Sequence, residues 1–195
     1  MKYYIEITLL PGTDVALYFL WEKVYQQVHL ALVGLKDSKN KVQAGVSFPG
    51  YFNGSGESHI GDKLRLFAPS FVILEQLNIH KKMSRLSDYV HLTGIRKIPE
   101  RIDRHAYFKR IQTKNNNERL ARRKAKRYGI SLKEALSYYE NRKEQYSTAP
   151  YIRIRSHSSS MQYRLMIVKI DSYYEKIGDG FSTYGLSTTS TVPLF

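Results

Sequence analysis

Six histidines, at positions 29, 59, 80, 91, 105 and 157, and no cysteine are available for chemistry in this 195-residue chain. None of the histidines has the i, i+3 or i, i+4 partner of a helical metal site, and thiolate ligation is excluded. Neither a metal nor any other cofactor is therefore expected. What remains is proton transfer at a single imidazole. In WEKVYQQVHLALV, His29 falls at the edge of an apolar helical stripe, beside Tyr18 and Tyr25, on the border between core and solvent. A histidine there can keep one nitrogen exposed and titrate near its ordinary value of about 6.5, which suits general acid–base work. From position alone, the commoner role is that of a boundary histidine whose nitrogen is simply hydrogen-bonded. Ser156 and Ser158, at the turn after YIRIRS, are ordinary turn formers, and Tyr184 in FSTYGLS reads as a strand residue. None of the three reveals a reaction alone.

A second cluster points to binding. NNNERLARRKAKRYG, residues 115–129, carries six basic side chains in the nine positions from Arg119 to Arg127. Wound as a helix, it places Arg119, Arg122, Arg123, Lys126 and Arg127 on one face about 140° wide, with Ala121, Ala125 and Tyr128 opposite and Leu120 at the margin. A solvated helix would normally intersperse acids at i, i+4, and only Glu118 is available. From Arg101 to Arg127 eleven Lys or Arg face two acids, Asp103 and Glu118, so most of the net charge of +14 is concentrated there. Such a surface fits a polyanion, and its arginines suit bidentate phosphate and guanine contacts. No apolar face accompanies the charge, so nucleic acid is favoured over a membrane. The longest apolar run, VALYFLW (15–21), is too short to span a bilayer. With no cysteine, a soluble protein of the reducing cytoplasm is expected.

The elements that must position these residues alternate along the chain. KYYIEITLL (2–10) reads as a strand closed by Pro11-Gly12, residues 14–33 as an amphipathic helix, and GVSFPGY (45–51) as a strand followed by a Gly/Ser-rich loop. DKLRLFAP (62–69) predicts a strand, SFVILEQLNI (70–79) a helix and YVHLTGIRKIP (89–99) a strand. This β-α-β-β-α-β order is the ferredoxin-like, or RRM-like, arrangement. YFKRIQTK (107–114) follows as a strand. Gly129 ends the basic helix, and Ser131 with Glu134 forms a capping box for a helix to about Tyr146. YIRIRS (151–156) and MQYRLMIVKI (161–170) read as a hairpin. The expected fold class is α+β: a ferredoxin-like domain over 1–99 carrying His29, then an α+β domain over 100–195 with the arginine-rich helix and the hairpin.

Several of these stretches together resemble a known family. QVHLALV, GVSFP at 45–49, RIQTKNNNERLARRKAKR at 110–127, RSHSSSMQYRL at 155–165 and the closing YGLSTTSTVPLF are similar, in order and over nearly the whole chain, to the CRISPR repeat-cleaving endoribonucleases of subtype I-F systems. The resemblance implies an enzyme that binds the stem-loop of CRISPR repeat RNA and cuts at the 3' base of the stem without metal. The ribose 2'-OH attacks, giving a 2',3'-cyclic phosphate and a 5'-OH, and the enzyme stays on the mature RNA beside other subunits of a CRISPR surveillance complex. By position, it makes His29 the residue acting on the 2'-OH, Ser156 the holder of that ribose, and Tyr184 a positioning tyrosine. It makes Arg110 and Gln112 readers of base edges, Arg123 and Arg127 groove-entering arginines, and Arg119, Arg122 and Lys126 phosphate contacts. Ser158 would lie near the scissile end and Tyr163 would stack under the stem. Tyr163 stands where the family pattern has phenylalanine, Asn117 where it has proline, and Gln162 where it has histidine. A non-catalytic subunit capping a guide RNA would need only the helix and Tyr163, and a DNA-binding protein is a third reading.

Overall fold

The computed structural model describes residues 1–12, 14–112, 117–142, 147–155 and 161–195, and it is a mixed α/β fold with several sheets and few helices. β1 (Tyr3–Leu9) buries Ile5, Ile7 and Leu9 and leaves the alternate residues half-covered, the period-2 pattern of a strand with one face in a core. α1 (Leu17–Gly34) starts later than the predicted Asp14, because residue 16 is still extended and its carbonyl receives the first N–H groups, those of Phe19 and Leu20. Its buried face is Leu20, Trp21, Val24, Tyr25, Val28, Ala31 and Leu32. Tyr25 thus belongs to the core, whereas Tyr18, the other tyrosine expected on the border, is exposed.

β2 (Lys41–Val42) and β3 (Gly45–Ser47) follow, then β4 (Phe52–Asn53) and β5 (Ser58–His59), a small hairpin inside the stretch expected to be loop. After β6 (Lys63–Ala68), the helix predicted over 70–79 divides into α2 (Phe71–Gln76) and α3 (Ile79–Lys82). The break is Asn78, whose φ of +48° lies in the left-handed region. A 3₁₀ turn over Ser84–Tyr89 leads to β7 (Val90–Leu92) and β8 (Arg96–Lys97). These two replace one predicted strand over 89–99, since they pair with opposite ends of β1. Next come β9 (Arg104–Ile111), α4 (Asn117–Tyr128), α5 (Leu132–Ser137), β10 (Tyr151–Arg155), β11 (Gln162–Ser172), β12 (Phe181–Ser182) and β13 (Val192–Leu194).

One sheet has the order β3-β6-β1-β7, with β8 also on β1, and a second has the order β10-β11-β9-β13. Every pairing in both is antiparallel. The short strand β12 pairs with β2. The chain divides into two compact units, Met1–Ile111 with Ala149–Phe195, and Gln112–Thr148. The sequence suggests a single division near residue 99; by packing, β9, β10, β11 and β13 share one core with α1 and the first sheet. Phe48 is central to that core, its ring touching those of Trp21, Tyr25 and Phe108.

The smaller unit is built on α4 and α5, which pack together and bury one alanine each, Ala121 and Ala135. Ser131 caps α5 by accepting the Glu134 N–H at 3.1 Å, which is the serine half of the predicted capping box. The helix ends at Ser137 instead of running to about Tyr146. Past that end, the Asn117 side chain donates to the carbonyls of Tyr139 and Arg142 at 3.3 and 3.2 Å, bonds a continued helix would have made internally. Residues 143–146 lie outside the described residues.

Candidate active site

α1, packed between β1 and β10, presents His29 to the segment that follows β12. The His29 Nδ1 lies 2.8 Å from the Thr183 carbonyl oxygen. A carbonyl only accepts, so Nδ1 carries the proton, and in the neutral ring Nε2 holds the lone pair. The next residue, Tyr184, lays its ring parallel to the imidazole, with centroids 4.2 Å apart and planes 5° from parallel. Its carbonyl accepts from the Tyr25 hydroxyl at 2.8 Å. Tyr25 and His29 are one helical turn apart, so one face of α1 grips two consecutive carbonyls of the 183–184 segment.

That segment is fixed from its other side by a turn. Gly185 has φ +70°, its N–H bonds the Ser182 carbonyl at 2.7 Å, and its own carbonyl accepts from Val46 of β3 at 2.9 Å. A side chain there would meet Val46, whose Cγ1 lies 2.5 Å from where a Cβ would sit, so glycine is required both by conformation and by space.

Tyr163, on β11, completes the group. Its hydroxyl is 2.5 Å from the Tyr184 hydroxyl, and the Arg110 guanidinium of β9 lies 5.3 Å from the centre of its ring and 5.8 Å from that of Tyr184. Burial and then the Tyr184 hydroxyl push the Tyr163 phenol well above the ordinary tyrosine range, with Arg110 opposing. Burial likewise raises the Tyr25 phenol well above its usual value. The arrangement holds the imidazole with its Nδ1 bonded to a carbonyl and its face against an aromatic plate, with a cation nearby. It can take a proton from a hydroxyl brought to Nε2.

Of the residues singled out from the sequence, His29, Tyr184, Tyr163 and Arg110 are brought together. Gln112 is exposed, one residue beyond the end of β9. Ser156 and Ser158 lie outside the described residues. Arg119, Arg122, Arg123, Lys126 and Arg127 are all exposed on α4, in the other compact unit, while Ala121 is buried and Leu120 and Ala125 are partly covered. Arg122 pairs with Glu118 one turn earlier. The sixth cation, Lys124, turns inward to place its ammonium 3.2 Å from the centre of the Tyr138 ring. Tyr128, expected on the covered side, is 63% exposed, with the Arg127 guanidinium over its ring. Sequence reasoning missed Tyr25 and Thr183 as parts of the site. The signals were their places one turn before His29 and one residue before Tyr184. Among the described residues, no group of three or more His, Cys, Asp or Glu is arranged to hold a metal, and no helix is long and apolar enough to cross a membrane.

The fold and site together define a mixed α/β protein with a histidine–tyrosine centre in one compact unit and a cationic helix in the other. The chain belongs to the CRISPR-associated protein family Cas_Csy4, whose model matches residues 4–195. It is 29% identical over 195 residues, the full length of both chains, to a protein of Escherichia coli (strain UTI89 / UPEC) named CRISPR-associated endonuclease Cas6/Csy4. It is 28% identical over 203 residues, again covering both chains completely, to a protein of the same name from Pseudomonas aeruginosa (strain UCBPP-PA14). A solved structure from a Cas6-related gene of Pyrococcus furiosus aligns over 100% of this chain and 99% of its own at 12% identity, with a TM-score of 0.38.

Proposed function

We propose that the chain is a metal-independent endoribonuclease that binds the stem-loop of CRISPR repeat RNA and cleaves at the 3' base of the stem. The observation that carries this reading is His29: its Nδ1–H is committed to the Thr183 carbonyl, which makes Nε2 the proton-accepting nitrogen, in a family whose relatives are named endonucleases. In the proposed reaction the ribose 2'-OH gives its proton to Nε2 as O2' attacks the adjacent phosphorus. The P–O5' bond breaks, leaving a 2',3'-cyclic phosphate, and O5' takes a proton from solvent to become a 5'-OH. The nucleophile is a neighbour on the same nucleotide, so holding the ribose in line supplies much of the acceleration by orientation. That role falls to Ser156 with Tyr184, and Ser158 would act near the scissile end. Tyr163 stacks beneath the stem, while Arg110 and Gln112 read base edges there.

The exposed face of α4 supplies the electrostatic grip. Arg123 and Arg127 enter the major groove near the end of the short stem, where an A-form groove becomes accessible, and Arg119, Arg122 and Lys126 neutralise phosphates. The β-α-β-β-α-β order with β1 between β6 and β7 supports a ferredoxin-like arrangement for the part that carries His29. Retention of the cut RNA, association with other subunits of a CRISPR surveillance complex and a cytoplasmic site of action go with this reading.

The test is incubation of the purified protein, in excess EDTA, with a panel of CRISPR repeat stem-loops, followed by mapping of the product ends. Wild type is expected to yield a single cut with cyclic-phosphate and 5'-OH ends. His29→Ala, and a substrate with 2'-deoxyribose before the scissile phosphate, are each expected to bind but remain uncut. Undiminished cutting by His29→Ala would remove its catalytic role, and cutting abolished by EDTA would point to a metal nuclease.

A further inference from the structure

Tyr184 is the plate on which His29 lies, and two other tyrosine hydroxyls converge on it. Tyr25, fully buried in α1, donates to the Tyr184 carbonyl at 2.8 Å. Tyr163 meets its phenol oxygen at 2.5 Å. We propose that Tyr25 and Tyr163 are positioning residues for RNA cleavage, which hold the two ends of Tyr184 so that its ring and the Thr183 carbonyl fix the plane and tautomer of His29. This inference rests on the reading of the chain as an endoribonuclease with His29 as proton acceptor.

The geometry makes the two contacts complementary. The Tyr25 bond fixes the backbone of Tyr184, and with it the adjacent Thr183 carbonyl that receives the His29 Nδ1–H. The Tyr163 bond fixes the far end of the Tyr184 side chain, restricting rotation of the ring that lies 4.2 Å from the imidazole. Loss of either would let the plate tilt, and the Nε2 lone pair would then point at the 2'-OH for a smaller fraction of the time. Burial keeps both phenols protonated well above the ordinary tyrosine range, so the clamp persists across neutral pH. Phenylalanine at either position preserves the ring and removes only the hydroxyl, which separates this role from core packing and from any stacking by the Tyr163 ring.

The experiment uses the full chain and the repeat stem-loop that it cuts fastest. Single-turnover cleavage rates are measured for wild type, Tyr25→Phe, Tyr163→Phe, the double variant and His29→Ala. Affinities are measured on the 2'-deoxy, uncleavable form of the same RNA, and the His29 tautomer is read from imidazole ¹⁵N shifts assigned by comparison with His29→Ala. Each phenylalanine variant is expected to cleave more slowly by on the order of tenfold, with affinity changed by less than about twofold. The dominance of the Nδ1–H form should weaken in both. The double variant should lose less than the product of the two single losses, because both hydroxyls act through one residue. Should Tyr25→Phe fail to fold, as judged by its thermal transition, the rate and tautomer of Tyr163→Phe decide. An active wild type with unaffected phenylalanine variants, or rate losses matched by equal losses of affinity, overturns this inference alone. A wild type that cuts none of the RNAs, or a His29→Ala variant as fast as wild type, removes the endoribonuclease reading and this inference with it.

Discussion

Glu6 is held between two cations of the neighbouring strand. It sits on β1 directly across from Arg65 on β6 and accepts from Arg65 Nε at 2.6 Å and from Lys63 Nζ at 3.1 Å. Burial alone would raise its carboxyl, but the bonds from Arg65 and Lys63 outweigh burial and leave the pKa below the ordinary value of 4.5. A carboxylate lowered on folding contributes stability that is complete above 4.5 and is lost as pH falls through the lowered, folded-state value. Glu6→Gln should therefore be less stable than wild type at neutral pH by about 1 kcal/mol, and the gap should close in acid. Urea unfolding curves at neutral and acidic pH test this. A gap that stayed constant, or widened, on acidification would show that the charge on Glu6 is not what matters. Arg65 also donates to the carbonyl of Phe195 and lies 4.3 Å from the centre of its ring, so the same substitution is expected to loosen the last residue of the chain.

At the scale of elements, the turn at Gly185 carries much of the site's precision. Gly185→Ala would force a Cβ against Val46 in a left-handed conformation and should cost about 2 kcal/mol or more, read as a lower urea midpoint. Cleavage should fall by more than the lost stability explains, since Thr183 and Tyr184 sit in that turn. A variant as stable and as active as wild type would mean that the segment relaxes without disturbing His29. The periodicity of α1 and the alternation of β1, β6, β10 and β11 made those elements legible, because each buries one regular face. The border position of His29 on α1 and the cationic face of α4 were legible in the same way, whereas Tyr184, read as a strand residue, lies in the turn after β12. The split of the predicted helix at Asn78 was not legible, since it follows from one residue adopting a positive φ. Nor were the pairings of β2 with β12 and β4 with β5, two-residue strands that carry no period. Tyr25 and Thr183 are neighbours of residues already singled out, but their part in the site is made by contacts between residues 159 and 154 positions apart, which that adjacency does not by itself reveal.

The whole molecule carries a net charge of +14, and five of the cations line one exposed face of α4. Charge on that scale draws an anion in from a distance, but attraction and recognition separate experimentally, because phosphate contacts release counterions and contacts to bases do not. Arg119→Gln and Lys126→Gln, assigned to phosphates, should weaken binding to every stem-loop alike and reduce the slope of log affinity against log salt by about 0.7–0.9 each. Arg123→Gln and Arg127→Gln, assigned to the groove, should instead narrow the gap between the preferred stem and one with altered base pairs, by about 1–3 kcal/mol where a bidentate base contact is lost. Affinity measured over a salt series for all four variants, on both RNAs, distinguishes the two groups. Equal slopes and equal discrimination in all four would mean that the helix acts as an undifferentiated cationic surface, leaving specificity to Arg110, Gln112 and the shape of the stem.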